Sequence, residues 1–259
     1  MIPAVQKIDI NCDVGESFGN FKVGNDEAVM PLITSANIGC GFHGGDPVTM
    51  GRTVGLAKEH GVGVGSHPAL PDLMGFGRRE MKITTEEARA YLLYQTGALK
   101  GFLEARGMKL QHVKPHGAFY TVLMKNDDLA RAVSEAILDL DKNLYWFMPV
   151  PNRSAQVAES MGVKVVGELY VDMDYGPDGS LVVRREQFSH QVDPKATAEK
   201  VLRFLDTGKV RTTENSEIEF AAKSVCIHGD TKNAADSLRV IREDLKAHGV
   251  EVTSIRNIA

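Results

Sequence analysis

The sequence predicts an α/β barrel, and three observations carry that reading. Short apolar runs alternate with helix-like runs along all 259 residues. Most of the apolar runs are continuous rather than alternating, as in a parallel sheet covered on both faces. Nearly every run also ends in a polar cluster containing His, Asp, Glu or Lys. Seven or eight such units in one chain point to a closed barrel, with an open doubly wound sheet as the alternative. No low-complexity linker or composition break divides the chain, so residues 1–259 read as a single domain. The units share a plan but no repeating sequence, which excludes a solenoid.

The first strand is expected at 7–12, with Asn11, Asp13 and Glu16 at its end. A short helix follows near 26–33. The second strand runs to about Cys40 and leads through His43 into Asp46-Pro47, an N-cap followed by proline at the first helical position. That helix ends near His60. Residues 61–65 form strand three, leading to Ser66-His67-Pro68 and Pro71-Asp72. A loop at 74–82 carries Gly75-Phe76-Gly77-Arg78-Arg79. Thr84-Thr85-Glu86-Glu87 starts a long amphipathic helix to about Arg106. Strand four is 110–113, followed by Lys114-Pro115-His116-Gly117. A helix at 127–140, strand five at 144–150 and a helix at 154–161 come next. Strand six, 163–169, ends among Glu168, Asp172 and Asp174. A turn at 175–179 precedes a small extra strand at 181–185 and a helix at 195–207. Strand seven, 223–227, runs into His228-Gly229-Asp230. The last helix is 231–248, with one more strand at 250–255.

Composition narrows the partners. The chain is 43% hydrophobic and 25% charged, with a formal net charge of -4. It has no Lys/Arg run, so neither nucleic acid nor a membrane surface is expected, and a small-molecule substrate is. The three cysteines, Cys12, Cys40 and Cys226, form no C-x-x-C pair and make a disulfide framework unsuited. They read as packing residues in a reducing, cytoplasmic compartment. Neither a signal peptide nor a membrane-spanning run is expected.

In a parallel barrel the carboxyl ends of the strands line one cavity. His43, His67, His116 and His228 fall at such ends and can serve as base, acid or ligand. The other four histidines, His60, His112, His190 and His248, do not. Asp13, Glu16, Asp46, Asp72, Lys114, Glu168, Asp172, Asp174 and Asp230 join the first set. Asp46 and Asp230 read equally well as helix caps, and Asp72 as a turn residue. Lys114 is expected to face an anion. Arg78 and Arg79 make either a carboxylate or phosphate clamp or a solvated basic turn. Asp13 with His67 and either His43 or His116 suits a divalent cation such as Zn, Mn or Fe, although no H-E-x-x-H spacing exists. Gly39-x-Gly41-x-x-Gly44 matches the dinucleotide fingerprint by letter but in the wrong unit. A glycine-rich helix start still suits an anion. There is no P-loop motif. Packing is favoured over nucleophilic chemistry for Cys40 and Cys226.

Ile8-Asp9-Ile10-Asn11-Cys12-Asp13-Val14-Gly15-Glu16, Ser35-Ala36-Asn37-Ile38-Gly39-Cys40-Gly41-Phe42-His43-Gly44-Gly45-Asp46, Gly65-Ser66-His67-Pro68, Gly75-Phe76-Gly77-Arg78-Arg79, His112-Val113-Lys114-Pro115-His116-Gly117 and Cys226-Ile227-His228-Gly229-Asp230 resemble the LamB/YcsF family in order along nearly the whole chain. The resemblance implies an irregular barrel of the glycoside hydrolase/deacetylase type with about seven parallel strands. It implies ATP-dependent ring opening of 5-oxoproline to L-glutamate, with Mg2+ accompanying ATP and subunits B and C as partners. Self-association is left open. In that setting His43, His67, His116 and His228, with Asp13 and Asp230, are the expected catalytic groups. Asn11, Glu16, Asp46, Asp72, Arg78, Arg79, Lys114, Glu168 and Asp172 are the expected substrate or nucleotide contacts. Asp13, His67 and His116 are the expected metal ligands. One segment departs from the family pattern: Phe-Ala-Asp-Arg-x-Tyr stands here as Tyr170-Val171-Asp172-Met173-Asp174-Tyr175, with Met173 in place of arginine. That departure leaves another lactam or amide as an alternative substrate; a stand-alone metal-dependent deacetylase or amidohydrolase is the alternative activity by analogy of fold alone.

Overall fold

Strand β1 (Lys7–Val14) opens the barrel, and every residue after Lys7 in it is buried. The computed structural model describes residues 7–182 and 191–258. After β1 come α1 (Asp26–Val29), β2 (Ser35–Gly39), α2 (Pro47–Glu59), β3 (Gly63–His67), α3 (Thr85–Glu104) and β4 (Leu110–Val113). Next are α4 (Gly117–Met124), α5 (Asp127–Leu140), β5 (Tyr145–Met148), α6 (Arg153–Ser160) and β6 (Lys164–Tyr170). Two small hairpins, β7 (Asp174–Tyr175) with β8 (Leu181–Val182) and β9 (Lys209–Arg211) with β10 (Glu217–Glu219), flank α7 (Pro194–Thr207). The chain ends with β11 (Ser224–Ile227), α8 (Ala234–Ala247) and β12 (Glu251–Val252).

Strands β1 to β6 and β11 pair in parallel, and β11 pairs back onto β1, so seven strands close the barrel. Strand β12 adds to the outer end of β1. The open-sheet alternative is therefore excluded.

Strand periodicity explains the interior. Successive residues of a strand face opposite sides. On β1 this turns Ile8, Ile10, Cys12 and Val14 toward the helices and Asp9, Asn11 and Asp13 into the barrel. Ser35 and Asn37 of β2, Glu168 and Tyr170 of β6, and Ser224 and Cys226 of β11 follow the same rule; all are buried. The apolar core thus lies between sheet and helices, and the inside of the barrel is polar. Gly65 makes room there: a Cβ on it would sit 2.1 Å from Cδ2 of His112.

The local start signals hold. Asp46 caps α2 by accepting from Val48 and Thr49 N–H, and Thr84 with Glu87 forms a capping box on α3. Helix α4 departs from expectation. Its cap position, His116, makes no side-chain cap bond, and it starts at Gly117 with φ +47. Without a polar cap or a polar stripe it carries no local signal. The β9–β10 hairpin is also additional, being short and charged. Of the strand expected at 181–185, Leu181–Val182 is present and the remainder lies outside the described residues.

Candidate active site

The strand ends meet over a cavity of about 430 Å³ lined by Asp13, His67, Arg78, Lys114, His116, Tyr170, Met173 and His228, among others. Register brings them level: Asp13 lies opposite Asn37, and Gly39 opposite His67.

Lys114 rises from the end of β4 into a cage. Its Nζ lies 2.9 Å from Asp13 Oδ1, 3.4 Å from Glu168 Oε2 and 2.9 Å from Cys226 Sγ, with the Tyr170 ring 5.0 Å away. Burial opposes its charge, but Asp13, Cys226 and Glu168 outweigh that and hold its pKa well above the usual lysine range. Burial likewise opposes an ionised Asp13, and positive charge at His67 and Lys114 overcomes it, so its pKa falls well below the carboxylate range. Cys226 therefore does more than pack. Burial pushes its thiol pKa far up, which argues against a nucleophilic role.

His228 is held from both sides. Asp172 accepts from the His228 backbone N–H at 2.9 Å and from its ring Nδ1 at 3.1 Å, and takes a further bond from Thr231. The other ring nitrogen, Nε2, lies 3.7 Å from Asp13 Oδ2, and the ring stacks on Tyr170. Burial alone would lower the His228 pKa. The charges of Asp172 and Asp13 and the Asp172 hydrogen bond prevail, and it is pushed up to about 9. At neutral pH His228 is an imidazolium, an acid with a proton to give.

A second cluster lies beside it. Candidate ligand atoms of Glu16, His43, His67 and His116 all fall within 4.8 Å of one another, and all four residues are buried. His67 Nδ1 donates to Lys114 O at 2.6 Å, and His116 Nε2 donates to Phe76 O at 2.8 Å. Were both rings neutral, these bonds would leave His67 Nε2 and His116 Nδ1 facing each other at 2.9 Å as two lone pairs. Two facing lone pairs repel, so a proton or a cation belongs between them. With Glu16 Oε1 3.9 Å from His116 Nδ1 and Asp13 Oδ2 3.3 Å from His67 Nε2, the donor set fits a divalent cation of the Zn, Mn or Fe kind. Of the expected ligands, His67 and His116 belong to this cluster and Asp13 stands at its edge; Glu16 and His43 complete it. Burial and the Asp13 charge push the Glu16 carboxyl up to about 7, while burial lowers His43 to about 3. Gly77 permits the approach, since a Cβ there would lie 2.7 Å from both His43 Cβ and His116 Cδ2.

Other expected contacts fall elsewhere. Asp46 does not line the cavity: its oxygens take Val48, Thr49 and Gly19 N–H groups. That carboxylate already occupies the start of α2, so the glycine-rich turn has no room for a phosphate there. Asp72 caps the turn before Arg79 and pairs with the exposed Arg79 guanidinium. Only Arg78 of the two arginines reaches the cavity. Asn11 and Glu168 stand one layer below, where Asn11 Nδ2 bonds Glu168 at 3.2 Å and Ser224 at 2.7 Å. Asp230 sits beside Arg78, with its carboxyl pushed up to about 6 by burial. Three positions were missed in sequence. Asn37 donates to Asp13 Oδ1 at 2.8 Å; His112 Nε2, 2.6 Å from Asn37 Oδ1, orients that amide; Tyr170 donates to Glu168 at 2.6 Å. Period-two counting along β2 from Ser35 would have placed Asn37 inside.

A parallel barrel with histidines and paired carboxylates around a buried cavity is the architecture of an enzyme that moves protons. Residues 8–259 match the model of the LamB/YcsF family, and the chain belongs to that family. It is 50% identical to the 5-oxoprolinase A subunit of Pyrococcus abyssi, covering 97% of this chain and 98% of that one. The 5-oxoprolinase A subunit of Bacillus subtilis is 43% identical over 96% of this chain and 97% of its own length. Among solved structures, the lactam utilization protein from Thermus thermophilus superposes with a TM-score of 0.88 at 42% identity, covering 96% of this chain and 99% of that one. The catalytic domain of a peptidoglycan N-acetylglucosamine deacetylase from Eubacterium rectale shares the fold alone, with a TM-score of 0.52 at 7% identity over 98% of this chain and 90% of that one. No described helix is long and apolar enough to cross a membrane.

Proposed function

We propose that this chain is the A-type component of a 5-oxoprolinase, opening the ring of 5-oxoproline to L-glutamate together with subunits B and C and with ATP. The observation that carries the reading is His228, held between Asp172 and Asp13 with Nε2 toward the cavity. A five-membered lactam is a stable amide. Transfer of a phosphoryl group to its oxygen by ATP converts that oxygen into a leaving group. Water then adds to the ring carbon, the C–N bond breaks as the nitrogen takes a proton, and a second water displaces the phosphate from the resulting acyl phosphate to leave the free carboxylate. His228, charged at neutral pH, gives that proton, and, where no cation occupies it, the lone pair of His67 or His116 accepts one from water. Asp172 keeps the Nδ1–H in place, as an orienting carboxylate does in a triad. Lys114 holds Asp13 ionised and in position. A divalent cation bound by Glu16, His43, His67 and His116 would supply Lewis-acid activation of the carbonyl. ATP and its Mg2+ are assigned to the assembled enzyme, since Asp46 fills the turn that could have cradled phosphate. The free, buried cysteines suit a reducing cytoplasm.

The test mixes the purified chain with subunits B and C, 5-oxoproline and ATP, and assays glutamate. Turnover of another lactam but not 5-oxoproline would move the substrate. The four-residue cluster favours one second reading, a metal-dependent amidohydrolase acting alone. Turnover without ATP or partners, abolished by a chelator and restored by zinc, would select it.

A further inference from the structure

Among the described residues, four cationic side chains line the cavity: Arg78, Lys114, Lys125 and His228. Three of them are already engaged. Lys114 lies between Asp13 and Glu168, His228 between Asp172 and Asp13, and the exposed Lys125 pairs with Glu80 at 2.5 Å. Arg78 differs. Among the described residues its guanidinium makes no hydrogen bond. Its one charge contact among them, Nη2 to Asp230 Oδ2, is 3.8 Å long, and its buried Nε has no partner among them. Asp230 Oδ2 is itself buried and unpartnered. A separation of 3.8 Å is outside hydrogen-bond range, so the two groups neutralise each other without using their donors and acceptors.

The backbone fixes where this open fork sits. Arg78 N–H donates to Gly75 O, and Ala118 N–H donates to Gly77 O. The latter bond ties the loop to the first turn of α4, next to His116. A Cβ on Gly117 would meet Gly77 O at 2.8 Å, so only glycine allows the crossing. Arg78 is thus anchored beside the histidine cluster, with a permanently charged, planar set of N–H donors at the cavity wall. The buried Nε–H without an acceptor is costly, and a carboxylate that takes it together with a neighbouring Nη–H is the partner the fork matches. Met173 on the same cavity lining offers no charge.

We propose that Arg78 sets the substrate class: its guanidinium takes the carboxylate of an acidic cyclic amide, and Asp230 is the resident counter-charge that this carboxylate outcompetes. The proposal rests on the lactam reading for its substrate and narrows it to lactams that carry an acid. Binding of 5-oxoproline and of the uncharged 2-pyrrolidinone to the full chain is measured calorimetrically for the wild type, Arg78→Lys and Arg78→Gln. The assembled enzyme then supplies kcat/KM for both compounds.

The wild type is expected to prefer 5-oxoproline. Arg78→Gln weakens 5-oxoproline binding by about 10- to 100-fold, the loss of a charge-assisted hydrogen bond, and 2-pyrrolidinone binding by less than about 3-fold. Arg78→Lys keeps the charge without the fork and falls between. Asp230→Asn removes the competing charge and tightens 5-oxoproline alone. Equal losses on both ligands, an unchanged preference in Arg78→Gln, or no preference in the wild type would overturn the proposal. If the wild-type assembly hydrolyses no 5-oxoproline, the functional reading fails, while the binding measurements still decide the role of Arg78.

Discussion

At the floor of the barrel, Asp9 accepts from Thr34, Ser35, Ser224 and the Ile255 N–H, and Gln111 bonds Ser254. At the mouth, His43 Nδ1, Arg78 Nε and Asp230 Oδ2 are buried without partners. Both regions are polar and buried, so burial alone does not separate structure from function. The floor has used its hydrogen-bonding capacity within the fold. The mouth has left some of it open, and a buried group left open is stable only if something else is meant to meet it. Asn37 joins the two layers: His112 orients it from below, and it donates to Asp13 above.

That contrast can be broken at several points. The largest effect is expected at the Asp172–His228 pair. Asp172→Asn should cut kcat by about a thousandfold or more with the fold intact, because the ring loses its orienting acceptor. It should also move the alkaline limb of the pH profile. The His228 pKa is raised to about 9 from the ordinary 6.5. Its protonated form, and the stability linked to it, are therefore fully present below about 6.5 and lost as pH rises through about 9. In Asp172→Asn the limb should fall toward the ordinary histidine value. An unshifted limb would assign the acid to another group.

Next comes Lys114→Met. It removes the ammonium shared by Asp13 and Glu168 from a buried site, which costs about 3–5 kcal/mol and lowers Tm by roughly 10 °C. A Tm within about 2 °C of wild type would mean that the cage is not structural.

Gly65→Ala tests the floor. The new Cβ would lie 2.1 Å from His112, and an overpacked site of this kind costs about 3 kcal/mol. In a His112→Ala background the penalty should shrink below about 1 kcal/mol, as a double-mutant cycle by denaturant unfolding would read. The smallest effect is expected for Arg79→Ala. Its exposed pair with Asp72 lies outside the cavity, so KM should change by no more than about 3-fold. A loss as large as that of Arg78→Gln would erase the distinction between the two arginines.

Some of this was legible in the chain. Asp46-Pro47 and Thr84 with Glu87 are local devices, complete within a few residues, and both helices start where those residues say. The alternation of apolar runs with helices pointed to the parallel sheet, and the pairing of β11 with β1 decided its closure into a barrel. The histidines at strand ends were found by position alone. Helix α4 was not, because its first turn is held by tertiary contact with Gly77 rather than by a cap of its own.

Sequence by itself therefore determined which residues could reach the barrel mouth, because strand periodicity and helix starts are short-range properties of the chain. It could not decide between like residues. Asp46 and Asp230 each precede a helix, and Arg78 and Arg79 are neighbours in one loop. Only the tertiary structure made Asp46 a cap and left Asp230 Oδ2 without a hydrogen bond, and turned Arg78 inward while Arg79 closed on Asp72. The physical reason is that desolvation and the supply of partners depend on what distant segments bring to the same few ångströms.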